Sequence, residues 1–363
     1  MRTESEHIRD VDYLRGVAIL LTMIAHINFA MPTIPSWLMA LYHVSEYWGG
    51  VYLFFVISGF VISRGFSPSF EQGFAQGTAR SAWLRFYVRR FFRIVPPALF
   101  WIAMTLSFAA AFNADQVFGG MRANITQAIA ASVFAYNFIF PHWTASFGIY
   151  WSLALEEQFY LFFPFLHIIP RRIRWIVLSA PIFLLFFVHR PAGTLAVFLP
   201  VDALAWGVLI AAAQRGAWLP EPTFLADPRK RNVNQIVCLA AIVVIPAQFK
   251  ALTCATSIMT MVCAWVVFCA SFNKGYMRIG GDIVRLIGIV SFSTYLCHMT
   301  FFLFTKSVLI RLNIGAHLGV SIEAIIAAAL ALLLTAIASI LSYQLIEAPS
   351  RAFGRTVVAP AAG

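Results

Sequence analysis

Val11-Asp12-Tyr13-Leu14-Arg15-Gly16-Val17-Ala18-Ile19-Leu20-Leu21-Thr22-Met23-Ile24-Ala25-His26 is the stretch from which the rest of the chain is read. It belongs to an apolar run long enough to cross a bilayer, yet it carries a carboxylate, a guanidinium and an imidazole. At ~100° per residue, Arg15 and His26 stand about three full turns apart on one face, about 16 Å along the axis. Asp12 falls within ~60° of Arg15, and Thr22 within ~40° of His26. Ionisable groups inside a membrane helix are costly, and they face a bundle interior or a watery cavity. A juxtamembrane Asp–Arg anchor with one incidental histidine would give the same spacing, so the remaining stretches have to decide.

Composition sets the class. Of 363 residues, 61% are hydrophobic and only 11% charged; a water-soluble fold of this size cannot hide so much apolar surface, so an all-α, polytopic transmembrane bundle is predicted. The 35 Phe and 10 Trp suit lipid-facing and interfacial positions. The net charge of +11 fits the positive-inside bias of many short loops, and nucleic acid is not an expected partner. Five cysteines lie in apolar runs without CxxC spacing and read as small core residues. No zinc, Walker or GxSxG signature is present, and no metal is expected. The polar stretch from Met1 to Asp10 precedes a retained span and not a cleaved signal.

Ten spans are predicted, at about 11–30, 47–64, 94–112, 148–168, 173–189, 195–213, 235–250, 253–272, 285–305 and 321–344. A further apolar run, Asn124 to Phe140, is assigned by charge. With ten spans, only Arg122, Arg190, Lys250, Lys306 and Arg311 fall outside, and every other Lys and Arg except Arg15 falls inside. An eleventh crossing would split the charges almost evenly, so segment 124–140 is read as re-entrant or interfacial. Both termini are then cytoplasmic, with residues 1–350 forming the membrane domain and 351–363 a short tail.

The longest cytoplasmic connection, 65–93, opens with a Gly/Gln/Ser-rich stretch and ends in Trp83-Leu84-Arg85-Phe86-Tyr87-Val88-Arg89-Arg90-Phe91-Phe92-Arg93. Arg85, Arg89 and Arg93 recur every fourth residue and form one basic stripe on an aromatic-rich helix. Pro96 and Pro97 are expected to break or kink that helix.

Three more stretches carry polar groups into apolar surroundings. Gly49 to Phe60 is rich in small residues that permit close helix approach, and Ser58 within it reads as packing, since no base adjoins it. Trp151-Ser152-Leu153-Ala154-Leu155-Glu156-Glu157-Gln158-Phe159-Tyr160 places two carboxylates ~100° apart on a helix. At least one faces the interior, as a structural ion pair or as a functional group. Ser291 to His298 brings a second intramembrane histidine, by itself a packing residue or a reactive one. Asp202 in the sixth span is equally open.

In this order the stretches resemble the acyltransferase-3 family of bacterial integral-membrane O-acyltransferases. The likeness rests on Arg15 and His26, on Gly50 to Gly59, on Tyr87 to Pro96, on Trp151 to Tyr160, and on Ser291 to His298. It implies transfer of an acyl group, commonly acetyl, from cytoplasmic acyl-CoA to a sugar hydroxyl in a bacterial inner membrane. Family acceptors include lipopolysaccharide, exopolysaccharide, peptidoglycan and macrolide sugars. The co-substrate is therefore expected to be acyl-CoA, with no permanently bound cofactor. The partners are the bilayer and a sugar, glycan or glycosylated small molecule. Since the chain stops at Gly363, the standalone form without a hydrolase-like domain is expected. His26 is the expected general base, because imidazole titrates near neutral pH. Glu156 aligns with the family's Glu and is assigned to orient His26 or pair with Arg15. Arg85, Arg89, Arg90 and Arg93 are assigned to the CoA phosphates, with membrane anchoring as their other reading. Asp12, Ser58, Trp151, Tyr160, Tyr295 and His298 are supporting residues. A transporter or exporter lined by Arg15, Glu156 and His298 is the competing class.

Overall fold

The structure, a computed structural model, describes residues 8–139, 142–190, 194–275 and 280–358. The ends of the N-terminal polar stretch and of the predicted tail, and residue 140 of the predicted interfacial segment, lie outside them. Fifteen α-helices occur among the described residues: α1 (Arg9–His26), α2 (Ser36–Val44), α3 (Gly49–Ala75), α4 (Ala79–Ala111), α5 (Met121–Ser132), α6 (Tyr150–Phe162), α7 (Arg171–Phe186), α8 (Val201–Arg215), α9 (Pro228–Gln248), α10 (Ala255–Ala270), α11 (Gly281–Ile289), α12 (Ser291–Leu312), α13 (Ile314–Leu318), α14 (Val320–Ser342) and α15 (Ala348–Val357). No strand occurs among them.

Seven helical segments are long and apolar enough to cross a membrane, and the chain is a multi-pass membrane protein. The predicted spans 148–168, 173–189 and 253–272 coincide with α6, α7 and α10, which have 13, 16 and 16 residues. Each is shorter than the ~20 residues a perpendicular crossing takes. Segment 124–140 contains the 12-residue α5 and a 3₁₀ turn at Tyr136–Ile139, and neither can span alone.

The helices run on at three places outside the predicted spans or past residues expected to interrupt them. The connection 65–93 is almost entirely helical: α3 continues to Ala75 and α4 starts at Ala79. The turn between them is made by Gly77, whose φ of 71° is the left-handed conformation that ends a helix. Pro96 and Pro97, expected to break or kink the helix, lie inside α4, which is continuous to Ala111. Adjacent prolines free only the carbonyls four residues earlier, and neighbouring polar groups or local adjustment make that tolerable in apolar helices. The stretch assigned as a tail from 351 is helical to Val357, because α14 passes through a π turn at Tyr343–Glu347 into α15.

The described chain divides into two compact units, 1–25 with 41–77 and 160–289, and 26–40 with 78–159 and 290–363. In the first, small residues set the packing. A Cβ on Gly59 of α3 would sit 2.2 Å from the carbonyl oxygen of Leu204 on α8, and one on Gly207 would sit 2.1 Å from that of Val56. The two backbones are therefore in contact through reciprocal glycines. Gly16 meets the Val284 carbonyl, and Gly288 meets that of Asp12, so α1 and α11 are locked the same way. Asp202 proves structural. Its carboxylate takes two bonds from Arg190, at 3.0 and 2.9 Å, and both side chains are buried. Ser257 bonds the same guanidinium at 2.6 Å, and the Tyr52 ring lies 5.9 Å below it. Arg190 stands in the connection between α7 and α8, as expected of a loop residue, and is buried there by its carboxylate partner.

In the second unit, Ala324, Ala327 and Ala331 form a fully buried stripe on α14. Across α4 and α12, Thr105 and Thr300 share a 2.7 Å hydroxyl bond, and Trp101 donates to Ser342 at 2.9 Å. Such bonds between membrane helices are worth about 0.6–2 kcal/mol each.

Candidate active site

His26 is the last residue of α1, half-buried and followed by a 3₁₀ turn. In the second unit its Nδ1 lies 3.2 Å from Nε2 of His298 on α12, which is wholly buried. Nδ1 of His298 is 2.7 Å from the carbonyl oxygen of Tyr295, one turn earlier. This chain of contacts fixes protons. A carbonyl can only accept, so Nδ1 of His298 carries the hydrogen, and neutral His298 presents a lone pair on Nε2. His26 must then donate from Nδ1, which leaves its own Nε2 unprotonated. Two histidines 272 residues apart thus form a relay in which Nε2 of His26 is the unprotonated nitrogen.

The relay is anchored to α6. The Tyr295 hydroxyl bonds the carbonyl of Ile149 at 3.0 Å and the Ser152 hydroxyl at 2.6 Å. Tyr295 therefore holds the α12 turn that supplies the His298 acceptor. Trp151 stacks on Trp143 with ring centroids 6.3 Å apart and planes 11° from parallel. Gln158 exchanges two bonds with Asn137, at 3.0 and 2.9 Å, and donates to the Phe134 carbonyl. The segment before α6 is fixed in turn by Gln127, which bonds the His142 carbonyl at 2.9 Å and the Thr144 hydroxyl at 2.9 Å. Glu156 is half-buried on this braced helix.

The basic residues of α4 do not form a single set. Arg85 and Arg89 are exposed and Arg93 is half-buried, which fits the predicted stripe. Arg90 is buried at 8% exposure and sits 6.0 Å from the Phe86 ring. One residue from Arg89, it points ~100° away from the stripe. Arg90 and Arg93 are within electrostatic reach of Glu157, and Arg93 within that of Arg351 on α15. Glu157, the less favoured of the two carboxylates, therefore faces cations. Glu347, not singled out in the sequence, is buried; it accepts from Ser293 at 2.8 Å and pairs with Arg351 at 3.4 Å. The π turn that ends at Glu347 shifts the helix register there, a device common at functional sites. The sequence held a signal for it in Glu347 and Arg351, four residues apart, the ordinary helical ion-pair spacing.

Arg15, Asp12, Ser58 and Tyr160 lie in the first unit. Arg15 bonds Asp12 at 3.2 Å, the i,i+3 pair the helix spacing predicts. Ser58 adjoins Gly59, on the helix that packs against α8. The Thr22 hydroxyl is taken by the Ala18 carbonyl at 2.9 Å. No group of three or more His, Cys, Asp or Glu with metal-ligand geometry occurs among the described residues.

A polytopic helical membrane protein with an imidazole relay beside a basic helix has the parts of a membrane acyl-transfer site. The chain belongs to the acyltransferase-3 family, whose sequence profile, described as an acyltransferase domain, matches residues 8–344. It is 25% identical over 389 aligned positions to the O-acetyltransferase OatA of Staphylococcus aureus, covering 96% of this chain and 58% of that protein. It is 29% identical over 174 positions to the peptidoglycan O-acetyltransferase OatA of Listeria monocytogenes, covering 45% of this chain and 24% of the relative. A putative peptidoglycan O-acetyltransferase, YrhL of Bacillus subtilis, is 27% identical over 164 positions, with 44% and 23% covered. The chain thus spans between about a quarter and just over half the length of these curated relatives. No solved structure matches the chain.

Proposed function

We propose that the protein is a membrane-bound O-acyltransferase that moves an acyl group, acetyl first among candidates, from acyl-CoA to a hydroxyl of a glycan. The His26–His298 relay is the observation that carries this reading. Acyl transfer to an alcohol needs a base that removes the hydroxyl proton as the oxygen attacks the thioester carbon. Nε2 of His26 is the unprotonated nitrogen left by the relay. As it takes the proton, His26 becomes an imidazolium whose Nδ1–H bond to His298 turns charge-assisted and stronger. The C–O bond forms, the carbonyl oxygen becomes an oxyanion, and the C–S bond then breaks. The imidazolium returns its proton to the departing thiolate, so the site ends neutral and CoA leaves as the thiol. His298 is a positioning residue, and Tyr295 and Ser152 hold its turn. Arg15, oriented by Asp12, and Glu156 take the charge-stabilising and orienting roles that the family resemblance implies.

The donor assignment rests on Arg85, Arg89 and Arg93, three cations on one face of α4, with Arg90 and Arg351 as the inner cations. Arginine pairs with phosphate bidentately, which suits the polyanionic end of CoA. The relatives from Listeria monocytogenes and Bacillus subtilis, a peptidoglycan and a putative peptidoglycan O-acetyltransferase, make peptidoglycan the first acceptor to try. A bacterial inner membrane, with the basic helix on the cytoplasmic side, is the location that fits this donor. The test is thiol release from acetyl-CoA by purified protein, with muropeptides and other glycans as acceptors. Acceptor-dependent release is expected. Its absence across donors and glycans would overturn the reading.

A further inference from the structure

In the first unit, the second half of α3, the start of α7 and the end of α8 enclose a cavity of about 490 Å³. It plays no part in the chemistry above, yet it is built from charge. Arg171, Arg174 and Arg215 line it, against the single carboxylate of Glu71. Arg174 pairs with Glu71 at 3.1 Å. The other two guanidinium groups are held by neutral partners. Arg215 donates to the Ser63 carbonyl at 2.9 Å, and Arg171 lies 5.3 Å over the ring of Trp218. Neither is within ion-pair distance of an acid among the described residues.

Helix polarity adds to this excess. α7 begins Arg171-Arg172-Ile173-Arg174 after Pro170, with no acid in its first turn and no capping side chain. Cations at a helix N-terminus oppose the macrodipole, and the first-turn N–H groups lack internal acceptors. An anion at this end would satisfy both. A second observation points the same way. His167, buried at 8% exposure, lines the cavity, and its Nδ1 is buried without a hydrogen-bond partner. Ser63 and Ser67 add hydroxyls to the wall. Two guanidinium groups outside any ion pair, the first-turn N–H groups of α7, the buried His167 imidazole and hydroxyls together make a donor-rich lining, matched to tetrahedral oxyanions.

The rim identifies the source. Ile176, Val177, Trp218 and Leu219, close in the chain to the lining residues Trp175, Leu178 and Gly216, are 67%, 44%, 50% and 53% exposed. Exposed aliphatic side chains flanked by Trp and Arg mark the depth where acyl chains meet headgroups. Basic pockets between membrane helices at this depth suit anionic lipid headgroups. We propose that this cavity is a phosphate-binding site that holds the headgroup of an anionic phospholipid. The inference is independent of the acyl-transfer reading and is tested without turnover.

The experiment uses the full chain in nanodiscs of dioleoylphosphatidylcholine, with or without dioleoylphosphatidylglycerol, and reads lipid retention by native mass spectrometry alongside thermal unfolding. One phosphatidylglycerol is expected to be retained with at least a tenfold preference over phosphatidylcholine. Arg171→Gln removes a cation that lies over the Trp218 ring and outside any ion pair among the described residues, so folding should survive while the preference falls at least threefold. Arg174→Gln should act in the same direction. Glycerol 1-phosphate added to phosphatidylcholine discs separates the sources. Protection by this ester that is lost in Arg171→Gln, without phosphatidylglycerol preference, would keep the phosphate site and overturn its lipid occupant. Equal retention of both lipids by the wild type and no protection by the ester would overturn the site itself. So would a phosphatidylglycerol preference left unchanged in both variants.

Discussion

Replacing His298 with leucine removes the acceptor that fixes the tautomer of His26 while leaving an apolar side chain of similar reach in a fully buried place. In the resting state the lost bond is between neutral groups and is worth about 1 kcal/mol. Once His26 has taken the substrate proton, the same bond is charge-assisted and worth about 1.5–3 kcal/mol. Only the difference acts on the barrier, about 0.5–2 kcal/mol, or roughly 2- to 30-fold in kcat. Loss of the preferred tautomer adds to this, so a fall of about 10- to 100-fold is expected, smaller than for loss of the base itself. The assay is thiol release from acetyl-CoA by purified, monodisperse protein. The donor KM should change little, because the relay meets the reacting hydroxyl and not the CoA phosphates. His298→Gln is the companion variant. Its amide oxygen can accept from His26 Nδ1, so it should recover part of the lost rate. Wild-type turnover in a well-folded His298→Leu protein would refute the relay, and so would a Gln variant no better than Leu.

Removing charge at Arg89 and Arg93 together should raise the KM for acyl-CoA more than it lowers kcat, with the difference shrinking as salt rises; an unchanged KM would return the stripe to membrane anchoring. Asp202→Ala should lower stability by about 3–5 kcal/mol, because it leaves Arg190 buried and unpaired; thermal unfolding in detergent checks this, and an unchanged melting temperature would contradict it. Gly59→Ala drives a methyl into the Leu204 carbonyl and should cost about 1–3 kcal/mol or more, read in the same assay. In intact cells, an impermeant maleimide should fail to label a cysteine placed at position 230 in a Cys-free background, since the charge bias puts that residue inside; labelling there would overturn the assigned orientation.

The helical membrane class was legible because apolar length and positive-inside charge are local properties. Close packing was legible too: Gly59 marks a helix contact wherever its partner comes from. The partners themselves were not. His26 and His298 each stood out as costly intramembrane groups, yet nothing local joins residues 272 apart. Arg190 read as a loop cation because its carboxylate, twelve residues on, lies beyond a break in the helical pattern. Glu347 was overlooked because it follows the last predicted span, 321–344, at the end of a π turn, and its partner Ser293 is 54 residues away. Arg90 was placed with its neighbours by composition, although helix geometry already turned it ~100° from Arg89. Pro96 and Pro97 could be read only as a break or a kink, since local propensity gives no weight to the apolar surroundings in which α4 runs on as a helix.

The central claim is that His26 accepts the substrate proton. The most direct measurement is single-turnover acyl transfer by purified His26→Gln protein, with acyl-CoA binding measured on the same sample. Glutamine keeps a hydrogen-bonding side chain opposite His298 but cannot take up a proton. The predicted result is donor binding within a few-fold of wild type and transfer slowed about 10²- to 10⁴-fold, the usual contribution of a general base. Near-normal transfer by a folded, donor-binding His26→Gln protein would contradict the account.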